Sequence, residues 1–184
     1  MIGIIHTNKE ELSKYEFLYP IINILKELNI NYKVFSYKDK INEYFEKIII
    51  TGTAIMDFDY LNYIKNFEFI IENNIKTLAI CSGSQIVTRL LNYDFEDKEL
   101  IGKYYVRIIN KDKIIDKDFE AYFLITKIPK IDEKFYIIGK VENIPVLYRY
   151  RNIYFSLFHP EVLNKDIIIN FLEYIAPTRV TLDR

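Results

Sequence analysis

Three short apolar runs constrain this chain more than any other feature. Residues 1–6, 47–51 and 76–80 are dominated by Ile, Leu and Ala where a half-exposed strand would alternate with polar residues. Strands with apolar side chains on both faces belong in the middle of a parallel sheet covered by helices. Between these runs the periodicity becomes helical. Leu12, Tyr15, Leu18, Tyr19, Ile22 and Leu25 follow a 3.6-residue repeat, and Pro20 should start or kink that helix. Residues 31–37 alternate as a strand. Asp57 or Asp59 is placed to cap a helix carrying Leu61, Ile64, Phe67, Phe69 and Ile71, and a further helix is expected from about Gly83 to Asn92.

The second half changes character. Residues 100–110, 113–116, 121–127, 135–140, 145–150 and 153–158 read as strands joined by short polar turns, which calls for hairpins rather than helical crossovers. Residues 166–176 read as a closing amphipathic helix with Ile167, Phe171, Leu172 and Ile175 on one side, ended by Pro177. No repeat, low-complexity tract or composition step marks a linker. The expectation is one domain over residues 1–184: an open α/β sheet, mainly parallel, flanked by helices and extended by antiparallel strands.

Half the residues are hydrophobic and 16% are aromatic, which excludes a disordered chain. With 25 basic and 26 acidic residues the net charge is −1, so no overall field favours nucleic acid or an anionic membrane. One cysteine cannot form an intrachain disulfide, and one Cys with two His falls short of a tetrahedral zinc site, so neither a metal nor another cofactor is expected. No apolar stretch approaches the roughly 18 residues that span a bilayer, and the apolar opening reads as a first strand rather than a leader. A cytoplasmic location is expected.

The single cysteine, Cys81, ends the third apolar run and directly precedes a helix start. A strand–turn–helix elbow holds a nucleophile clear of its own backbone, and the unpaired N–H groups of a helix start favour a thiolate. Gly83 suits a turn too tight for a side chain. A buried cysteine acting as a small hydrophobe is the alternative. Downstream, Phe158-His159-Pro160-Glu161 places a histidine two residues from a carboxylate. In a strand those two side chains project the same way, so Glu161 could fix the tautomer of His159 while the other ring nitrogen faces the thiol. His6 is the competing base, but no carboxylate follows it closely. Ile50-Thr51-Gly52 is a second apolar strand running into glycine. At the carboxyl edge of a parallel sheet the N–H of Gly52 could face that of Ser82 and form an oxyanion hole.

These windows resemble the class I, triad-type glutamine amidotransferases. Ile80-Cys81-Ser82-Gly83-Ser84-Gln85 is similar to the family's G-I-C-x-G-x-Q elbow, Phe158-His159-Pro160-Glu161-Val162 to its F-H-P-E-V segment, and Ile50-Thr51-Gly52 to its oxyanion strand. Ala79 stands in place of the usual glycine, Ser84 in place of His or Met, and Ala54 where many members carry a second glycine. The resemblance implies a flavodoxin-like sheet, Cys81 as nucleophile, His159 as base and acid, Glu161 as its orienting carboxylate, Gly52 and Ser82 as oxyanion donors, and Gln85 as a substrate-binding residue. It further implies a stand-alone glutaminase subunit that delivers ammonia from glutamine to a synthase partner. Two other classes are kept open: a γ-glutamyl hydrolase-type cysteine hydrolase and a non-catalytic binding or regulatory module. Tyr148-Arg149-Tyr150-Arg151 interleaves rings and cations as single-strand nucleic-acid binders do, but at this net charge a strand with one solvated face is the better reading, and no nucleic-acid or membrane partner is expected.

Overall fold

The computed structural model describes residues 1–173. Strand β1 (Ile2–His6) is buried along its whole length, as its unbroken apolar run requires. The chain then forms two helices, α1 (Ser13–Phe17) and α2 (Tyr19–Glu27), divided at Leu18, with Pro20 in the first turn of α2. Proline has no N–H to give, and that position asks for none. Strands β2 (Tyr32–Ser36) and β3 (Lys47–Ile50) follow. A 3-10 helix (Asp59–Phe67) leads into α3 (Glu68–Glu72), then come β4 (Lys76–Ile80) and α4 (Ser82–Leu90). The hairpin half comprises β5 (Phe95–Ile108), β6 (Phe119–Pro129), β7 (Tyr136–Val141), β8 (Ile144–Tyr150) and β9 (Ile153–Ser156). Helices α5 (Pro160–Leu163) and α6 (Lys165–Leu172) complete the described chain.

The nine strands among the described residues form one open sheet in the order β2-β1-β3-β4-β9-β8-β7-β5-β6. The first five are parallel, and the remaining pairings are antiparallel. The parallel half has the flavodoxin-like order, with strands reversing direction of growth between β1 and β3. Because β1, β3, β4 and β9 run the same way, their carboxyl ends share one edge of the sheet. That edge carries the candidate site residues described below.

Three expectations are corrected. Residues 113–116 are not a strand: Asp112 and Ile115 form an isolated bridge around a tight turn, and the Asp112 carboxylate accepts the Ile114 N–H at 3.1 Å. The apolar stretch from Leu61 to Ile71 is not one α-helix; it is a 3-10 helix broken by non-helical angles at Tyr63 before α3 begins. No side chain caps it, although Asp57 accepts the Asp59 N–H at 3.2 Å. Phe158 lies beyond β9 and bridges to Phe123 of β6 instead of continuing the strand. Among the described residues α6 ends at Leu172, with Glu173 in a left-handed cap; the expected continuation through Ile175 and Ala176 and the stop at Pro177 lie outside them.

Candidate active site

Cys81 leaves β4 with φ 48° and ψ −104°, a left-sided backbone conformation that a side chain resists. Strain of this kind costs about 1–3 kcal/mol and persists only where the surroundings hold it. Here the Cys81 N–H donates to Ser156 O of β9 at 2.7 Å, and α4 starts at the next residue. The sulfur lies 3.5 Å from the Leu124 carbonyl of β6, and the residue is 5% exposed. The elbow is therefore real, but its strained residue is the cysteine and not Gly83. Glycine is required at 83 for another reason: a Cβ there would lie 2.8 Å from both Cβ and O of Ile50, because α4 packs directly on β3.

His159 is fully buried beyond β9. Its N–H donates to Tyr122 O at 2.8 Å, and its ring lies 5.1 Å from that of Phe17 in α1. Nδ1 of His159 is 2.8 Å from Oε1 of Glu161, and both side chains are sealed from solvent. The pairing was expected from strand alternation, yet no strand makes it. His159 is the N-cap of α5, and Glu161 sits in that helix's first turn and folds back onto the ring. Burial alone would lower the imidazole pKa. The Glu161 carboxylate and the Cys81 sulfur outweigh burial and raise it above its ordinary value.

Gly52 lies where these groups converge. A Cβ there would fall 2.4 Å from Cε1 and 3.0 Å from Nδ1 of His159, and 3.3 Å from Cβ of Cys81. Its glycine is required by the imidazole, since no left-handed backbone angle is involved. Sequence reasoning missed the polar residues around it. Thr7 and Asn8 follow β1 directly: Asn8 Nδ2 donates to Gly52 O at 3.2 Å, and Thr7 Oγ1 lies 2.7 Å from Ser82 Oγ. The signal available was a Thr-Asn pair at the carboxyl end of an apolar strand.

Gln85 is buried on the first turns of α4. Its Oε1 accepts from Tyr60 of the 3-10 helix, and its Nε2 donates to Lys127 O of β6 at 3.0 Å. Tyr60 was not anticipated, and the β6 contributions could not be, because they come from main-chain carbonyls. Gln85, Tyr60, Cys81, Ser82 and Leu124 line a cavity of only about 10 Å³. That is room for about one water. Ala54, Ile55, Asp57 and Phe58 line both this cavity and an open groove of about 620 Å³ that reaches Lys9 and Asn62.

Of the seven buried side-chain polar atoms without a partner among the described residues, four lie at this sheet edge: Nδ1 of His6, Oδ1 of Asn8, Nε2 of His159 and Oε2 of Glu161. Unmet buried polar atoms are rare in native proteins, and their concentration marks a place selected for something other than stability. His6 ends β1 with no carboxylate on its ring, and burial is the main cause lowering its pKa. The described residues hold no cluster of three or more His, Cys, Asp or Glu suited to a metal. No helix among them is long and apolar enough to cross a membrane. In the Tyr148–Arg151 window Tyr148 is buried, while Arg149 pairs with Asp112 at 3.5 Å, as an alternating strand would have it.

No family model matches the chain. A GMP synthase (glutamine-hydrolysing) of Brachyspira hyodysenteriae is 28% identical over 174 residues, covering 85% of this chain and 34% of that protein. One of Thermosipho melanesiensis is 29% identical over 122 residues, covering 59% and 24%. The chain thus spans about a third or less of the length of these curated relatives. Among solved structures, a Thermoplasma acidophilum protein named for one subunit of GMP synthase matches with TM-score 0.79 and 18% identity, covering 95% of this chain and 94% of that one. A Thermotoga maritima glutamine amidotransferase matches with TM-score 0.69 and 17% identity over 94% and 82%. In sequence the chain is thus similar to glutamine-hydrolysing GMP synthases, and in fold to a glutamine amidotransferase.

Proposed function

We propose that this chain is a glutaminase, releasing ammonia from the side-chain amide of glutamine through Cys81, His159 and Glu161. The observation that carries the reading is the convergence at Gly52, where a single Cβ would meet both the imidazole, 2.4 Å from Cε1, and Cys81, 3.3 Å from its Cβ, while Glu161 holds Nδ1 of the ring at 2.8 Å. Sulfur, imidazole and carboxylate in that order are what covalent acyl transfer needs.

The Cys81 thiolate attacks the amide carbon, and the carbonyl electron pair moves to oxygen. The N–H groups of Gly52 and Ser82 receive that oxyanion, as preorganised donors do in a water-poor site. Protonated His159, favoured by its two negative neighbours, gives its proton to the departing nitrogen, which leaves as ammonia. A γ-glutamyl thioester remains. His159, now neutral, takes a proton from water; the hydroxide releases glutamate and restores the thiolate. Gln85, held by Tyr60 and the Lys127 carbonyl, forms the wall against which the substrate lies. A cavity of about 10 Å³ does not hold a glutamine side chain, so the site must widen for substrate to enter, with Ala54, Ile55 and Phe58 lining the way from the adjoining groove. The ammonia passes to a synthase partner, as expected of a chain whose curated relatives are named glutamine-hydrolysing synthases and extend well beyond the matched region.

The test is incubation with glutamine, alone and with cell extract, measuring glutamate and ammonia. A glutamine-mimicking diazoketone should label Cys81 and leave Cys81→Ser untouched. Hydrolysis of γ-glutamyl peptides without glutamine turnover would make the chain a γ-glutamyl hydrolase. Inertness with every substrate and no labelling would make it a binding module.

A further inference from the structure

The two peptide groups flanking Gly52 are both held by their carbonyls. Thr51 O accepts from Thr7 Oγ1 at 3.0 Å and from Ser82 Oγ at 3.1 Å. Gly52 O accepts from Asn8 Nδ2 at 3.2 Å and from Thr51 Oγ1 at 3.0 Å. Thr7 and Ser82 are also within 2.7 Å of one another, so their two hydroxyl protons serve three contacts. The two cannot both lie between the same pair of oxygens. In every arrangement at least one proton reaches Thr51 O.

This matters because Thr51 C=O and Gly52 N–H belong to one peptide plane. The described chain contains no cis peptide, and in a trans peptide the C=O and N–H point in opposite directions. Drawing Thr51 O towards Thr7 and Ser82 therefore fixes the opposite direction for the Gly52 N–H. Asn8 does the same for the following peptide, so the glycine cannot rotate between two anchored planes. A glycine here is otherwise the residue most able to turn, having no Cβ to restrict it. Thr7, Asn8, Thr51 and Ser82 are all buried, although polar side chains cost free energy to bury unless they are bonded. That cost is met four times around a single glycine.

We propose that Thr7 and Asn8 are positioning residues that set the Gly52 N–H for the developing oxyanion. The proposal rests on the glutaminase reading and deepens it. Neither side chain needs to touch substrate. Their effect should be felt when charge collects on the amide oxygen, and hardly at all when glutamine first binds.

The experiment uses the full chain and four variants: Thr7→Val, which keeps the shape and removes the hydroxyl, Thr7→Ser, Asn8→Leu and the double Thr7→Val/Asn8→Leu. The probe is the γ-aldehyde analogue of glutamine. The Cys81 thiolate adds to its carbonyl carbon, the π pair moves to oxygen and takes a proton, and the product is a tetrahedral thiohemiacetal. Protection of Cys81 from iodoacetamide, read by mass spectrometry, gives the analogue's affinity; alkylation without analogue reads the thiol alone. We expect kcat and analogue affinity to fall together by about tenfold or more in Thr7→Val and further in the double variant, against the roughly 10²–10³ typical of losing an oxyanion donor outright. KM and the bare alkylation rate should stay within about twofold, and Thr7→Ser should restore most of the loss. Parallel losses in KM and alkylation, or unchanged kcat and analogue affinity, would overturn the positioning role. A wild-type chain that forms no adduct would overturn the glutaminase reading and this proposal with it.

Discussion

The imidazole of His159 and the carboxylate of Glu161 meet at 2.8 Å with no solvent on either side chain. A buried carboxylate with one bonded oxygen and one bare oxygen is costly unless a cation lies against it. A buried imidazolium has the same requirement in reverse. Each supplies what the other needs, and the sulfur of Cys81 adds a second reason for the ring to keep its proton.

Replacing Glu161 by Gln keeps the shape and removes the charge. With burial left to act against fewer opposing charges, the His159 pKa should fall. Activity should drop by about 10²-fold or more, the usual scale for losing a correctly held general base. The sign of the stability effect follows from the raised pKa. The stabilisation is fully present below the ordinary histidine pKa of about 6.5 and is lost as pH rises through the folded-state value. Urea denaturation of wild type and Glu161→Gln should thus differ most at about pH 6 and converge in alkali. A gap that widened with pH would contradict this charge assignment.

Gly52→Ala tests the convergence directly. The new methyl would overlap Cε1 of His159 at 2.4 Å, and the ring has Phe17 against it. Overpacking of this sort costs about 1–3 kcal/mol in stability. The loss in turnover should be far larger than that destabilisation explains, because the imidazole is the group displaced. Kinetics compared with thermal melting on the same sample separate the two.

The sequence made the parallel half of the sheet legible because burial on both faces leaves unbroken apolar runs, as in residues 47–51 and 76–80. Cys81, His159, Glu161 and Gly52 were legible because each follows directly on a strand or lies in a distinctive short window. The bond between His159 and Glu161 was expected, but through the wrong geometry. A proline after His159 signals extended backbone equally well for a strand and for the N-cap of a helix, and here it opens α5. The 3-10 helix was illegible since its apolar spacing imitates an α-helix. Tyr60 had no local signal at all: its hydroxyl finds Gln85 across 25 residues of chain.

Tyr60→Phe should release that tie. Gln85 Oε1 would be left buried without the hydroxyl, at a cost of about 1–3 kcal/mol. Gln85 then holds only to β6 through the Lys127 carbonyl, and the wall beside Cys81 loosens. Alkylation of Cys81 by iodoacetamide should become faster than in wild type while the melting temperature falls. Unchanged alkylation would mean that the narrowness of the cavity does not depend on this bond.

Gly83→Ala probes the seat of the elbow from the opposite side. The added methyl meets Cβ of Ile50 at 2.8 Å and its carbonyl oxygen at the same distance. A side chain can turn aside, but a backbone oxygen in the central strand cannot. Helix α4 must therefore shift off β3, costing about 1–3 kcal/mol. Ser82 occupies the first position of that helix, so its N–H moves with it and turnover should fall as well. Trimming the partner distinguishes the two contacts. Ile50→Ala removes Cγ1, Cγ2 and Cδ1 but leaves Cβ and the oxygen, so the double variant Gly83→Ala/Ile50→Ala should recover none of the activity. Recovery would place the conflict in the isoleucine side chain and free the strand backbone from any part in setting the elbow.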